Sequence, residues 1–141
     1  MKTTINKWRT SIVSLVIAIG LIALATGCSK TGNNTSFTGT YIGTLGMNLY
    51  TEPDTIAITA GSTSTAIVMA SKTGTGSNYT INATTSGSTL NIPSQSVFVP
   101  SLNTTYTVTG SGTLNGSTIK ITYVFVSSSN TTYNWSFSGT K

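Results

Sequence analysis

From Phe37 onward, apolar and polar residues alternate with a period of two, and turn residues recur at short intervals. This pattern predicts a series of short β-strands. Phe37, Tyr41 and Leu45 share one face of a first strand. Glu52-Pro53-Asp54 reads as a turn and a solvated hairpin tip, since Pro and Asp are ordinary turn residues. Ile56 and Ile58 follow in a second strand. A third runs near Ser64 to Ser71, apolar on both faces. Tyr79, Ile81 and Ala83 line a fourth, with Asn78, Thr80, Asn82 and Thr84 opposite. Leu90 and Ile92 form a short fifth, stopped by Pro93. Val97 to Val99 forms either a small sixth strand or a bulged continuation before Pro100. The last strand, Thr132 to Ser138, points Tyr133, Trp135 and Phe137 one way and Asn134, Ser136 and Ser138 the other.

The strongest local signal is Asn115-Gly116, a dipeptide that favours a two-residue type I′ hairpin loop. With those two residues as the loop, Leu114 pairs with Ser117, Val108 with Tyr123 and Tyr106 with Phe125. One face then carries Tyr106, Val108, Leu114, Ile119, Ile121, Tyr123 and Phe125. The other carries threonines, Ser111 and Lys120. A one-residue slip would turn the core outward, so the pattern specifies the face strongly.

Short loops between sequential strands make neighbours antiparallel. The fold class expected is therefore all-β, an antiparallel up-and-down meander of about eight strands. Eight strands close into a small barrel and so remove their edges. The likeness of Phe37-Thr38-Gly39-Thr40 to Phe137-Ser138-Gly139-Thr140 suggests that the first and last strands pair. A β-sandwich is the alternative. The Phe-Thr-Gly-Thr-Tyr opening, the stretch from Gly110 through the hairpin to Tyr123, and the Phe-Ser-Gly-Thr-Lys ending carry a resemblance. They resemble small lipoproteins of Bacteroidota with a calycin-like or lipocalin-like barrel, which implies a barrel over residues 37–141.

The chain's first residues follow a different pattern. Lys2, Lys7 and Arg9 precede an apolar run from Ile12 to Thr26. At about 14 residues, that run has the length of an export-signal core and is short for a bilayer span. Leu24-Ala25-Thr26-Gly27-Cys28 places small residues before the only cysteine. This resembles the lipobox of bacterial lipoproteins, with Ala25 where leucine is usual. The resemblance implies a signal peptide over 1–27, a diacylglycerol on the Cys28 thiol, and an acylated new amine. Each buried CH₂ adds roughly 0.8 kcal/mol, so two or three chains hold a protein at a membrane. An uncleaved membrane helix and a soluble secreted protein are the alternatives. Residues 28–36 are polar and aperiodic, a lipidated flexible tether. In lipoproteins of related systems an aspartate after the cysteine retains the protein at the inner membrane, so the resemblance, with Ser29 there, implies the outer membrane of the bacterial envelope. Nothing here resembles the acidic surface-export signal of Bacteroidota lipoproteins, which implies the periplasmic face.

The formal net charge of +5 changes meaning once this signal is set aside. The remainder holds Lys30, Lys72, Lys120 and Lys141 against Glu52 and Asp54, a net of +2. Four scattered lysines without arginine do not make a nucleic-acid surface. Chemistry is sparse. The chain has no histidine, and Glu52 and Asp54 are its only carboxylates. General acid–base catalysis, a metal site and an activated serine all lack partners, so no enzyme, cofactor or metal is expected. The resemblance to an O-glycosylation acceptor of Bacteroidota in Asp54-Thr55-Ile56 makes Thr55 a candidate for modification. Tyr106, Tyr123, Phe125, Tyr133, Trp135 and Phe137 are the candidate ligand pocket. Plain core packing is the competing account, since a small barrel is filled by its own side chains. The expected role is non-enzymatic. It is either structural, with a polar Ser/Thr surface meeting glycan, peptidoglycan or an envelope protein, or the binding of a small hydrophobic or glycan ligand in the barrel.

Overall fold

A computed structural model describes residues 36–73 and 78–141. The predicted signal, the Cys28 lipid site and nearly all of the tether lie outside these residues. The described chain forms eight strands: β1 (Gly39–Met47), β2 (Tyr50–Ala60), β3 (Ala66–Thr73), β4 (Asn78–Ser86), β5 (Thr89–Val99), β6 (Thr104–Asn115), β7 (Thr118–Val126) and β8 (Thr132–Thr140). Each pairs antiparallel with its sequence neighbour, and β1 pairs with β8, giving a closed barrel in meander order. The sandwich alternative is not adopted.

The period of two sorts each strand into an inner and an outer face. The inner face holds one apolar core whose buried members all lie between Phe37 and Phe137. The barrel thus buries its core with its own residues. The outer face is largely Thr, Ser and Asn, as in Thr118, Lys120 and Thr122 of β7 against Asn134, Ser136 and Ser138 of β8. A membrane-spanning barrel has the reverse arrangement, apolar outside and polar within.

Closure depends on a close approach of β1 and β8. Gly43 faces Gly139 across that seam. A Cβ on Gly43 would collide with the carbonyl oxygen of Ser138, and one on Gly139 would lie 2.8 Å from Cε1 of Phe137. The end of the barrel where β1 begins is packed shut. The Tyr41 hydroxyl donates to the Phe37 carbonyl at 2.9 Å, and both residues are fully buried. Lys141 lies over this plug, with Nζ 5.2 Å from the Tyr41 ring centroid. Its ammonium donates to the carbonyls of Ser36 and Thr38 at 2.7 and 2.9 Å.

Three local expectations are corrected. First, Glu52-Pro53-Asp54 is not a turn but part of β2. The chain reverses earlier, at Asn48-Leu49, where Asn48 takes a φ of 55°. Asparagine tolerates that left-handed conformation. Glu52 and Asp54 therefore share the inward parity of Ile56 and Ile58. Pro53 faces outward, one residue beyond the last β2–β3 pair, Asp54↔Thr73, where a missing N–H is tolerated.

Second, the β6–β7 loop is Gly116-Ser117, because Asn115 pairs with Thr118. Only Gly116 has positive φ, 59°, as suits a glycine at the first central position of a type II′ turn. The register moves by two residues, so the faces are kept. Leu114 now meets Ile119 instead of Ser117, Val108 meets Phe125, and Gly110 lies opposite Tyr123.

Third, β5 does not stop at Pro93. It continues through a bulge between Ile92 and Gln95, the other form expected for Val97–Val99. Beyond the bulge β5 leaves β4, whose pairing with it ends at Thr84↔Asn91. The Gln95 side chain fills the gap. Its Oε1 accepts from the Asn82 N–H at 2.9 Å, and its Nε2 donates to the Asn82 carbonyl at 2.7 Å. One side-chain amide thus replaces one residue of backbone ladder.

Candidate functional site at the open end of the barrel

Among the described residues, the end opposite the plug is open. Here β1, β3, β5 and β7 finish and β2, β4, β6 and β8 begin. A cavity of about 450 Å³ enters the barrel from this side. Its walls are Leu45 and Met47 of β1, Tyr50 and Glu52 of β2, Thr73 of β3 and Tyr79 of β4. Val99 of β5, Leu102 of the 3₁₀ turn Pro100–Leu102, Tyr106 of β6, Phe125 of β7, and Tyr133 and Trp135 of β8 complete the ring.

The aromatic wall is built from edge-to-face contacts, a run of four rings and a separate pair. Tyr79 meets Phe125 at 5.7 Å between centroids, Phe125 meets Tyr106 at 5.8 Å, and Tyr106 meets Tyr133 at 6.2 Å. Tyr50 and Trp135 pair at 6.3 Å with planes at 84°. Such pairs contribute about 0.5–1.5 kcal/mol beyond area burial and hold each ring in place. The wall is preformed because its rings brace one another.

Of the six aromatic residues marked in the sequence, Tyr106, Phe125, Tyr133 and Trp135 line this cavity. Tyr123 and Phe137 do not. Both are almost fully buried in the core, and Tyr123 supports Phe125 from below at 6.1 Å between ring centroids. The sequence reading missed Glu52, Tyr50, Thr73 and Leu102 as wall residues, and did not mark Tyr79 as one. The signal for Glu52 was present, since positions 52, 54, 56 and 58 follow one parity.

Below Glu52 lies Asp54, 2% exposed. Ser71 Oγ donates to both its oxygens, at 3.1 and 2.9 Å. The backbone N–H groups of Thr55 and Lys72 donate as well. Burial raises the Asp54 pKa above its ordinary value. The hydrogen bonds from Ser71, Thr55 and Lys72 oppose that rise, and the Glu52 charge adds to it. Tyr79, a further partner of Ser71, is pushed up to about 12, chiefly by burial, so its phenol stays neutral. The Tyr50 hydroxyl donates to Glu52 Oε2 at 3.3 Å. Its pKa is raised by desolvation first and by Glu52 second.

Thr55 faces outward in mid-strand and is partly buried, while its neighbours Asp54 and Ile56 are buried inside. A second concavity, about 540 Å³, lies on the outer wall beside β8. It is lined mainly by hydroxyl-bearing residues such as Thr44, Thr122, Ser136 and Ser138, with Lys120. Among the described residues no group of three or more His, Cys, Asp or Glu is placed to hold a metal ion.

Fold and site together define an eight-stranded antiparallel barrel, plugged at one end and open at an aromatic, acid-bearing mouth. No protein-family model matches the chain, and no curated protein matches it. Among solved structures it is similar to a crystal structure described as a "putative outer membrane protein" of Bacteroides fragilis. The TM-score is 0.59 at 20% identity, over 79% of this chain. The chain spans only 53% of that protein's length. At this identity the likeness concerns the fold.

Proposed function

We propose that this chain is a lipid-anchored protein of the bacterial envelope whose barrel binds a small, largely apolar ligand in its mouth, without catalysis. The observation that carries the binding role is the cavity of about 450 Å³ walled by six aromatic side chains. Small-ligand sites are concave, mostly apolar and preformed, with a few polar groups that orient the guest. A barrel needed only as a scaffold would fill this end, as it fills the end beneath Tyr41.

The envelope assignment rests on the basic, apolar and small-residue order that ends in Cys28. The similarity to a Bacteroides fragilis protein described as an outer membrane protein supports it. The absence of histidine from the chain supports a non-enzymatic role. A structural or interaction role is the second reading, favoured by the concavity on the outer wall, where hydroxyl-bearing side chains border an apolar floor, a surface suited to glycan or peptidoglycan.

Two experiments test this. Cys28→Ser should abolish processing and membrane partition, and a variant still cut and still membrane-bound ends the lipid-anchor reading. Residues 36–141 hold one tryptophan, Trp135, on the cavity wall. The apolar dye N-phenyl-1-naphthylamine should bind this barrel with quenching of Trp135, and Tyr106→Arg should abolish it. Unchanged Trp135 emission at saturating dye would refute the mouth as a binding site.

A further inference from the structure

The chain has two acidic residues in all its length, and the fold brings both to one place. Glu52 stands on the wall of the open cavity, and Asp54 is the next inward residue beneath it. Burying a carboxylate is costly unless it is paired. Serine and threonine serve the adjoining inward positions, Ser71 and Thr73, so the fold had a cheap polar alternative for Glu52.

The partner that ordinarily offsets such a cost is a cation. Among the described residues, no lysine supplies it. Lys72 and Lys120 point outward from β3 and β7, and Lys141 sits at the plugged end. Among the described residues, Glu52 receives one hydrogen bond, from Tyr50, at the long distance of 3.3 Å. Its carboxylate therefore keeps acceptor capacity on a cavity wall, 9% exposed.

The rest of the wall has the same preference. Ring faces carry the negative part of the aromatic quadrupole and attract organic cations, Trp most strongly. Trp135, Tyr50, Tyr79 and Tyr106 line the space that Glu52 lines. Two independent features, a carboxylate with no cation partner among the described residues and an aromatic enclosure, thus call for one chemistry. An anionic guest would be repelled by Glu52, and a purely apolar one would leave it desolvated with only the long Tyr50 bond among the described residues.

We infer that the mouth is an amine site. Its ligand is a small organic cation with an apolar or aromatic body, whose ammonium group sits at Glu52 among the rings. This rests on the reading of the mouth as a ligand site and names the class of ligand. Asp54 is a positioning residue: it adds negative potential below Glu52 and fixes Ser71, without reaching the cavity.

The test uses the barrel of residues 36–141, whose core is self-contained, and a matched pair of probes. 2-Phenylethylammonium and 2-phenylethanol differ chiefly in charge. By calorimetry and Trp135 emission, the amine should bind at least tenfold more tightly than the alcohol. Glu52→Gln should bring the amine down to the alcohol's affinity, leave the alcohol within about twofold, and raise the melting temperature of the free barrel. Leu102→Lys, at the exposed rim, should weaken the amine relative to Leu102→Gln, while the alcohol binds the two variants equally, which keeps the test open if Glu52→Gln fails to fold.

Equal binding of amine and alcohol by the wild type overturns the charge inference and leaves the pocket standing. Tighter binding of a neutral sugar such as methyl β-glucoside overturns it in favour of a glycan. Dye binding at Trp135 with no binding of the amine also sinks it. Failure of the dye itself removes the pocket, and the inference with it.

Discussion

Tyr41→Phe isolates the polar half of the plug that seals one end of the barrel. The substitution keeps the ring and removes one oxygen. In the native barrel that hydroxyl donates to the Phe37 carbonyl at 2.9 Å, and neither residue is exposed to water. Removing the donor leaves a buried carbonyl without its phenol partner, a desolvation penalty of about 1–3 kcal/mol. The ring still fills the same space, so no cavity cost is added. It still faces the Lys141 ammonium, so the cation–π contribution, about 0.5–1 kcal/mol at such a site, persists. The expected loss is therefore about 1–2 kcal/mol. For a domain near 100 residues, 1 kcal/mol moves the melting temperature by about 4–8 °C. Thermal unfolding of the 36–141 barrel, followed by circular dichroism, should show a fall of roughly 4–16 °C on that scale. Tyr41→Ala should cost about 3–5 kcal/mol, because the plug itself is then lost. A Tyr41→Phe barrel that melts with the wild type would refute the claim that the hydroxyl satisfies a buried carbonyl. So would equal losses in the Phe and Ala variants.

Two other outcomes follow from inward and bridging polar groups. Asp54 has a folded-state pKa above its ordinary 3.8, chiefly through burial. The folded barrel thus holds that proton more tightly than the unfolded chain, and its stability falls as pH rises from about 3.8 through the raised value. Urea melts of wild type and Asp54→Asn across that window should show a downward slope that the variant lacks, and parallel profiles would remove the effect. Gln95→Ala breaks both bonds to Asn82 and should destabilise the barrel by roughly 1–2 kcal/mol. Hydrogen exchange of the Asn82 amide should rise with it, and unchanged protection there would show that the side chain does not replace the ladder.

The inner and outer faces were legible because a strand's side-chain period is two and one face must be buried. Tyr79, Ile81, Ala83, Phe125 and Trp135 fell on the correct side from alternation alone. Where the reading failed, local turn chemistry competed with that alternation. Glu52-Pro53-Asp54 has turn composition, yet Glu52 and Asp54 continue the parity of Ile56. The turn falls instead at Asn48-Leu49, where Leu49 reads as apolar in the sequence yet is fully exposed, which disguises the turn. At Asn115-Gly116 the dipeptide preference was outweighed by pairing Leu114 with Ile119, which puts apolar against apolar across the strands.

By itself the sequence determined the all-β meander, the facing of most strands, the pairing of first with last, and the nearly uncharged hydroxyl exterior. All but the pairing of first with last follow from composition, periodicity and short connections, which are local properties; that pairing is read from the likeness of residues 37–40 to residues 137–140. The tertiary structure decided which aromatic side chains fill the barrel and which surround an opening. Tyr123 and Tyr106 share one face of the sheet, but depth along the barrel axis makes one of them core and the other wall. It also decided that the chain's two carboxylates point inward together, because only closure of the sheet turns a shared parity into a shared enclosure.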